Sequence, residues 1–316
     1  MTNMLVDWPD DAAERVEREA FIASHAMHRS ELFSEDALVR LMDTYPRQRL
    51  QVFTMGKDPT DLSAWTPVDT AGATGAELMQ AIRVGRLWAK LMRLDIAAPD
   101  YGALVEQAYG EIADRIPERP LMMRPLMLIS SPGALVYYHA DAHSTMLWQI
   151  GGVKRVWIYP ARDPHFVAPA DMEAIFAGEA DEEVPYKPEF DASAAVFDLK
   201  PGEVLSWPTN APHRVTNLDS LNISVSVPYV TESADRRRQI FCANRWLRQS
   251  LGVSHPSTRE TGARAAAKRF SYRASLKLGL AKANATGRVY MTRMRIDGTS
   301  PNGLREVPDG PVRTPF

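Results

Sequence analysis

Eight short segments of β character lie between Pro120 and Tyr229, and they constrain the fold more than any other feature of the chain. They are rich in apolar, β-branched and aromatic residues, and Pro-Gly, Gly-Gly and Asn or Asp turns separate them. Their sequences are LMLISS, ALVYYHAD, STMLWQI, KRVWIYP, AAVFDL, EVLSWP, HRVTNL and NISVSVPY. Short strands at this spacing predict a closed or double-sheet all-β architecture.

Helical patterns flank this β region on both sides. The first third is predicted to be mostly helical, with helices over about residues 11–25 and 75–95 and a strand over about residues 49–55. A basic helix is predicted over residues 261–285, and the stretch from about Gly287 is predicted to be irregular. We therefore predict three parts: an N-terminal, mostly helical region (1–119), a β core (120–232) and a C-terminal helical region (233–316).

Charge and cysteine content exclude several classes of protein. The net charge of −2 shows that the chain as a whole is not a polyanion binder. Residues 255–316 carry twelve Lys and Arg against four Asp and Glu, but charges beside apolar residues are typical of a solvated helix face, so no nucleic-acid partner is predicted. The single cysteine, Cys242, excludes an internal disulfide and a cysteine-based metal cluster.

The sequence also predicts a cytoplasmic protein without a membrane partner. No apolar run approaches the roughly 20 residues that a membrane-spanning helix needs. The acidic segment Met1–Asp11 has no apolar stretch of the kind found in a secretory signal.

The segment YYHADAH (137–143) holds the residues best suited to bind a metal. Alternate residues of a strand share a face, so His139 and Asp141 are predicted to point the same way. His213, at the start of a later β segment, is the best candidate for a third ligand. Two imidazoles and a carboxylate form a facial site with three coordination positions left for substrate and oxygen. Taken alone, the H-x-D pair is a weak signal.

Lys154 strengthens the signal. It follows His139 by fifteen residues, within the β-type stretch QIGGVKRVW. A lysine on the inner face of a barrel strand costs free energy unless it meets an anion. The distal carboxylate of 2-oxoglutarate, with its other end on the metal, would be a suitable anion.

Residues 131–229 resemble the cupin-like JmjC oxygenases, in particular the branch that includes the asparaginyl hydroxylase of hypoxia-inducible factor. In that branch H-x-D is followed by G-x-K-R, an apolar strand that ends in proline, and a distant histidine after a proline-rich turn. Here the corresponding elements are His139 and Asp141, GVKR (152–155), WIYP (157–160), PGEVL (201–205), and His213 after Pro208 and Pro212.

The resemblance implies both a fold and an activity. The fold is mainly β, a double-stranded β-helix of the jelly-roll or cupin type with helices added at both ends. The activity is that of a dioxygenase that uses Fe(II), O₂ and the co-substrate 2-oxoglutarate, with the iron on His139, Asp141 and His213 and the co-substrate on Lys154. The implied substrate is a protein or peptide side chain or a small amino-acid-like molecule, which the enzyme hydroxylates. A homodimer through the C-terminal helices is also implied.

The rest of the co-substrate pocket departs from the family pattern. The family places a Thr two or three residues before the first histidine, and this chain has none there, so the phenol of Tyr137 or Tyr138 is predicted to replace it. A family Asn six residues after that histidine is Thr145 here. Ser224 and Ser226 are candidates for a second polar contact, and we favour Ser226.

Two residues and one insert are candidates for the substrate side of the site. His143 continues the strand face of the metal ligands, although a histidine directed to solvent explains it equally well. Arg124 is placed to orient an acidic substrate, although a surface salt bridge is the better-supported interpretation. The acidic insert over residues 171–191 is typical of a solvated surface, with a cap over the site as the alternative.

Two rival functions remain open from the residues alone. One is a metal cupin that works without 2-oxoglutarate, as a direct dioxygenase or an isomerase. The other is a barrel that binds its ligand without catalysis. Lys154 argues against the first function, and the presence of all three ligand types argues against the second.

Overall fold

Two β-sheets packed against each other form the centre of the molecule. The computed structural model describes residues 3–113, 115–279 and 289–313. The helices in these ranges are α1 (Ala12–Arg15), α2 (Glu35–Thr44), α3 (Gly75–Val84), α4 (Leu94–Ala97), α5 (Pro99–Ile112), α6 (Pro169–Phe176), α7 (Glu232–Leu251) and α8 (Ala263–Lys277).

The strands follow the same chain order. They are β1 (Leu5–Asp7), β2 (Phe21–His25), β3 (Leu50–Thr54), β4 (Val68–Asp69), β5 (Leu87–Met92), β6 (Met122–Met123), β7 (Leu126–Ser130), β8 (Leu135–His139), β9 (Ser144–Gly151), β10 (Lys154–Ile158), β11 (Ala195–Leu199), β12 (Glu203–Ser206), β13 (His213–Asn217), β14 (Asn222–Val230), β15 (Val289–Ile296) and β16 (Leu304–Arg313). The eight predicted β segments are thus confirmed as β7 to β14.

The described strands form three sheets. The large sheet has the order β1-β2-β12-β9-β14-β7-β5-β3, with β6 paired to β14. The small sheet has the order β11-β10-β13-β8, and a third sheet has the order β16-β15-β4. The pairs within the large and small sheets are antiparallel.

An apolar core fills the space between the large and small sheets. Leu147 and Leu205 of the large sheet belong to the same buried cluster as Val156, Ile158 and Val215 of the small sheet. We call the sides of the two sheets that meet in this cluster their inner faces. Strand β9 is buried on both sides, which explains why its sequence is almost continuously apolar.

Helices cover the outer faces of both sheets. Trp148 and Val225 on the large sheet pack in one cluster with Leu78 of α3 and Val105 of α5. The outer face of the small sheet contributes Tyr138 and Tyr159 to a second cluster, which includes residues of α6 and α7. The inner faces are therefore shielded from solvent by a layer of helix on either side.

Two predicted helices are wrong in the N-terminal third. The helix predicted over residues 75–95 ends at Val84, and Leu87–Met92 forms β5 between β3 and β7. The helix predicted over residues 11–25 is limited to α1, and Phe21–His25 forms β2, whose residues alternate between full and partial burial. Both segments satisfy a helical pattern locally, and pairing with neighbouring strands determines their structure. The strand predicted near residues 49–55 is confirmed as β3.

The prediction of an irregular C-terminal stretch is also wrong. Strands β15 and β16 form an antiparallel hairpin, and β15 adds in parallel to β4. Helix α8 confirms the predicted basic helix as far as Lys277, whereas residues 280–288 lie outside the described ranges. Pairing with β4, which is more than 200 residues away in the chain, gives this hairpin a partner that local sequence patterns do not reveal.

Gly152 makes the tight turn that leads from β9 into β10. Its φ of +70° lies in the left-handed region, and a Cβ placed there would lie 2.4 Å from the carbonyl oxygen of Leu221. Only glycine satisfies both conditions without strain. This turn sets the start of β10, whose first residue is Lys154.

None of the described helices combines the length and the apolar character needed to cross a membrane.

Candidate metal centre and active site

The three predicted metal ligands lie together at one end of the small sheet. His139 ends β8 and His213 begins β13, and the two residues are directly paired across these neighbouring strands. Asp141 follows His139 in the turn after β8. One ligand atom from each of the three side chains lies within 4.8 Å of the others. The Nε2 atoms of His139 and His213 are 3.4 and 3.9 Å from the carboxylate oxygens of Asp141.

Backbone carbonyls hold both imidazoles in the orientation that a metal requires. Nδ1 of His139 lies 2.7 Å from the carbonyl oxygen of Tyr137, and Nδ1 of His213 lies 3.0 Å from that of Ala211. A carbonyl oxygen can only accept, so each Nδ1 carries the proton and donates it. In the neutral ring the lone pair is then on Nε2, which faces Asp141. Both rings therefore present a ligand atom to the same point.

The charges of the three groups depend on one another. Burial favours a neutral Asp141, but the imidazoles of His213 and His139 outweigh it and hold the pKa of the carboxyl well below its usual range. Burial opposes charge on His139 as well, but the hydrogen bond to Asp141 and the charges of Asp141, Glu182 and Glu183 together outweigh it and raise the pKa of His139 to about 9. Burial, with the charge of His139, lowers the pKa of His213 to about 4. This half-buried carboxylate thus attracts positive charge, as a site for a divalent cation requires.

Thr145 lies beside the carboxylate. Its hydroxyl donates a 2.7 Å hydrogen bond to Oδ2 of Asp141. Predicted from the sequence as a co-substrate contact, Thr145 here orients the carboxylate that would ligate the metal.

Lys154 lies on the inner face of the small sheet, on the same side as His213. Strand β10 pairs Ile158 with His213, and Lys154 lies four residues before Ile158 on the same strand. The backbone of Lys154 is therefore displaced from that of His213 by about 13 Å along the strand direction. Only 2% of Lys154 is exposed, and no described residue forms a hydrogen bond or ion pair with its Nζ. Burial lowers the pKa of the ammonium group to about 7. A buried lysine without an anionic partner indicates a place for an anionic ligand.

The other two predicted pocket residues also face the inner core. Tyr137 is buried, and its phenol oxygen accepts a hydrogen bond from the backbone N–H of Gly56 at 3.2 Å, while its ring stacks on Trp65. Ser226 is half-buried and pairs with Leu147 of the inner cluster. Tyr137 thus already has a polar contact in the protein, whereas the hydroxyl of Ser226 has none among the described residues.

Of the two predicted substrate contacts, His143 lies near both the metal ligand Asp141 and the other predicted contact, Arg124. Burial, with the charges of Arg124 and Arg238, lowers the pKa of His143, and the nearby carboxylate of Asp141 opposes this shift. Arg124 is exposed, and its side chain forms no salt bridge among the described residues. The surface salt bridge considered for Arg124 is therefore not seen in the described part of the chain.

The middle of the acidic insert lies against the metal ligands, as the alternative prediction of a cap over the site requires. The carbonyl oxygen of Glu182 accepts from the N–H of Ala140 at 2.9 Å, and its carboxylate accepts from the N–H of Ala142 at 2.8 Å. Glu183 pairs with His139 in an isolated bridge. Burial, with the charge of Asp141, raises the pKa of Glu182 to about 7. The signal available in the sequence was the acidity of the insert, but acidity alone does not show where an insert packs.

Comparison with known proteins identifies a domain and a fold. A family model described as a cupin-like domain matches residues 97–235. Escherichia coli YcfD aligns with a TM-score of 0.50 at 14% identity, over 88% of this chain and 68% of that chain. A second structure of YcfD, described as a ribosomal oxygenase, aligns with a TM-score of 0.49 at 13% identity, over 87% of this chain and 68% of that chain. The complex of YcfD with cobalt and 2-oxoglutarate aligns with a TM-score of 0.49 at 14% identity, over 88% of this chain and 67% of that chain.

No curated protein sequence matches the chain. At this level of identity the structural likeness concerns the fold alone. With the family match, it confirms the predicted jelly-roll core with added helices.

Proposed function

Residues 97–235 form a cupin-like domain, and from this premise we propose that the chain is an iron(II)- and 2-oxoglutarate-dependent dioxygenase. The observation that carries the proposal is the position of Lys154. It is a buried ammonium group without a partner in the described structure, and it shares an inner sheet face with His213 of the three-residue ligand set. A dicarboxylate that reaches from the metal to Lys154 would occupy open metal positions with one end and pair with the ammonium group through the other.

The donor set fits ferrous iron. His139, Asp141 and His213 would hold the ion through two imidazole nitrogens and one carboxylate, and this set leaves positions open for co-substrate and oxygen. With iron and 2-oxoglutarate bound, the site would couple O₂-dependent decarboxylation of 2-oxoglutarate to succinate and CO₂ with insertion of the second oxygen atom into a substrate C–H bond.

The protein's own contribution is positioning and exclusion of water. Thr145 holds the Asp141 carboxylate, and the backbone carbonyls of Tyr137 and Ala211 hold the imidazole rings. Val156 and Val215 of the apolar inner core lie on the sheet face between the levels of His213 and Lys154. In such surroundings an ion pair between Lys154 and a carboxylate is much stronger than in water. We propose that Tyr137 and Ser226 also line the co-substrate site.

Groups of both charge signs border the metal ligands and support a polar substrate. Glu182 and Glu183 lie near His139, while His143 lies near Asp141 and Arg124. We propose hydroxylation of a protein or peptide side chain, or of a small amino-acid-like molecule that carries charged groups.

The proposal can be tested before the primary substrate is known, by measuring the conversion of 2-oxoglutarate to succinate in the absence of that substrate. Wild-type protein supplied with Fe(II), ascorbate and 2-oxoglutarate should release succinate slowly, and His213→Ala and Lys154→Met should not. Arg155→Met is the matched control for Lys154→Met, because Arg155 lies on the opposite side of β10 and pairs with Asp198 at the surface. Metal-dependent oxygen uptake that persists in Lys154→Met would favour a 2-oxoglutarate-independent cupin. Failure to bind metal would favour a non-catalytic barrel.

A further inference from the structure

We infer that Asn210, oriented by Arg237 of α7, is a positioning residue for the metal centre. The inference rests on the proposed function for the identity of the metal, and on geometry for everything else. Asn210 precedes His213 by three residues, and its side-chain Nδ2 donates a 2.7 Å hydrogen bond to the backbone carbonyl of Asp141. One side chain therefore joins the loop that carries one metal ligand to the turn that carries another.

Asparagine suits this position for two reasons. The residue is buried, and its φ of +61° lies in the left-handed region, which asparagine tolerates better than most side chains. Its amide also supplies a donor at one end and an acceptor at the other. Aspartate would keep the shape but lose the donor, whereas glycine would keep the backbone conformation but lose both groups.

Arg237 determines the orientation of the Asn210 side-chain amide. Its Nε donates a 2.9 Å hydrogen bond to Oδ1 of Asn210. Because a guanidinium group can only donate, the amide oxygen must face Arg237, and the NH₂ group must then face Asp141. Arg237 is itself held in place, since its Nη1 donates to Glu260 at 2.7 Å and its guanidinium lies over the ring of Phe241.

This chain of contacts extends the site beyond the cupin-like domain. The family match ends at residue 235, whereas Arg237 belongs to α7 and Glu260 to the segment before α8. The C-terminal region thus supplies the groups that orient Asn210. Residues that hold metal ligands in place typically change metal affinity about 10- to 100-fold when they are replaced.

The affinity of the full-length protein for Co(II) tests the inference directly. Asn210→Asp should bind Co(II) about tenfold more weakly or worse, with a changed cobalt absorption spectrum. Arg237→Met leaves the Asn210 amide in place but frees it to rotate, so a smaller loss of the same kind is expected. The matched control is Arg236→Met, because Arg236 is the preceding residue of α7 and pairs with Glu118 and Glu232 rather than with Asn210. Thermal unfolding of the metal-free variants reports separately on stability.

The inference is overturned if Asn210→Asp and Arg237→Met lose stability but keep the Co(II) affinity and spectrum of the wild type. Arg237→Met decides the matter if Asn210→Asp does not fold. A wild-type protein that binds Co(II) but not 2-oxoglutarate would refute the proposed function and leave the inference standing. A wild-type protein that binds no Co(II) would overturn both.

Discussion

At the scale of single residues, Lys154 has the most unusual environment in the site. Burial lowers its pKa to about 7 from an ordinary value of 10.5. Between these two values the unfolded chain binds a proton that the folded, ligand-free protein does not bind. The contribution of Lys154 to the free energy of unfolding therefore rises as the pH rises through this window. Below pH 7 both states are charged, and the full cost of burying the charge remains.

We predict that Lys154→Met stabilises the ligand-free protein at pH 7 and that this advantage shrinks as the pH approaches 10. The methionine fills similar space in an apolar core without a charge to bury. Urea unfolding of both proteins at several pH values between 7 and 9.5 measures the difference. Arg155→Met, on the exposed side of the same strand, should show no such trend. Wild-type and Lys154→Met curves that run parallel with pH would contradict the assigned environment.

The same substitution should weaken binding of 2-oxoglutarate to the metal-loaded protein by about 100-fold or more. Removing the ammonium group of Lys154 leaves the carboxylate of 2-oxoglutarate buried without a partner, which costs roughly 2–5 kcal/mol of binding free energy. Calorimetric titration under anaerobic conditions gives the dissociation constants. An unchanged constant in Lys154→Met would mean that the co-substrate carboxylate binds elsewhere.

The sequence predicted the residues with strong local signals and missed those defined by long-range contacts. His139, Asp141, His213 and Lys154 belong to a spaced motif, and the structure brings the first three together. Their roles in metal and co-substrate binding remain predictions. Asn210 has no comparable signal, because its importance depends on Arg237 and Asp141, which are 27 and 69 residues away.

At the scale of secondary structure, the predictions are confirmed where a segment has both β-type composition and turn residues at its ends. Strands β7 to β14 are short, apolar and separated by Gly, Pro, Asn or Asp, so their type was clear. Strand β2 is not preceded by such a turn and β5 is preceded only by Gly85, and both segments match a helical pattern equally well. Their structure is determined by the neighbouring strands β12 and β7, which only the folded chain brings close.

The turn between β9 and β10 offers a test at this scale. We predict that Gly152→Ala lowers the free energy of unfolding by about 2 kcal/mol or more, because alanine is strained at positive φ and its Cβ would collide with the Leu221 carbonyl. Co-substrate affinity should fall too, since the turn positions Lys154. Gly151→Ala is the control, because its Cβ would make only an ordinary 3.5 Å contact. Equal stability of the two variants by urea unfolding would contradict the account of this turn.

At the scale of the whole molecule, regions outside the predicted β core take part in the same structure. Strands β1, β2, β3 and β5 of the first 119 residues extend the large sheet, and β4 pairs with the C-terminal hairpin. Arg237 of the C-terminal region contacts the loop before His213. The division into three parts stays a prediction. The contacts between the parts indicate that each depends on the others for its structure.

The homodimer implied by the family resemblance is a prediction at the same scale. Phe270 of α8 and Leu278 just after it are 74% and 72% exposed, as apolar residues of a protein interface would be in a single subunit. We predict a dimer by light scattering in the wild type and a monomer in Phe270→Asp. Leu121→Asp changes an equally exposed apolar residue elsewhere, at 68%, and should remain a dimer. A wild-type protein that is monomeric at all concentrations would refute the prediction.

The most direct test of the oxygenase assignment is anaerobic titration of the Fe(II)-loaded protein with 2-oxoglutarate, monitored by visible absorption. We predict a weak charge-transfer band that saturates with co-substrate, is absent in His139→Ala, and needs far more 2-oxoglutarate in Lys154→Met. Iron binding without such a band in the wild type would contradict the assignment and leave a 2-oxoglutarate-independent cupin as the better account.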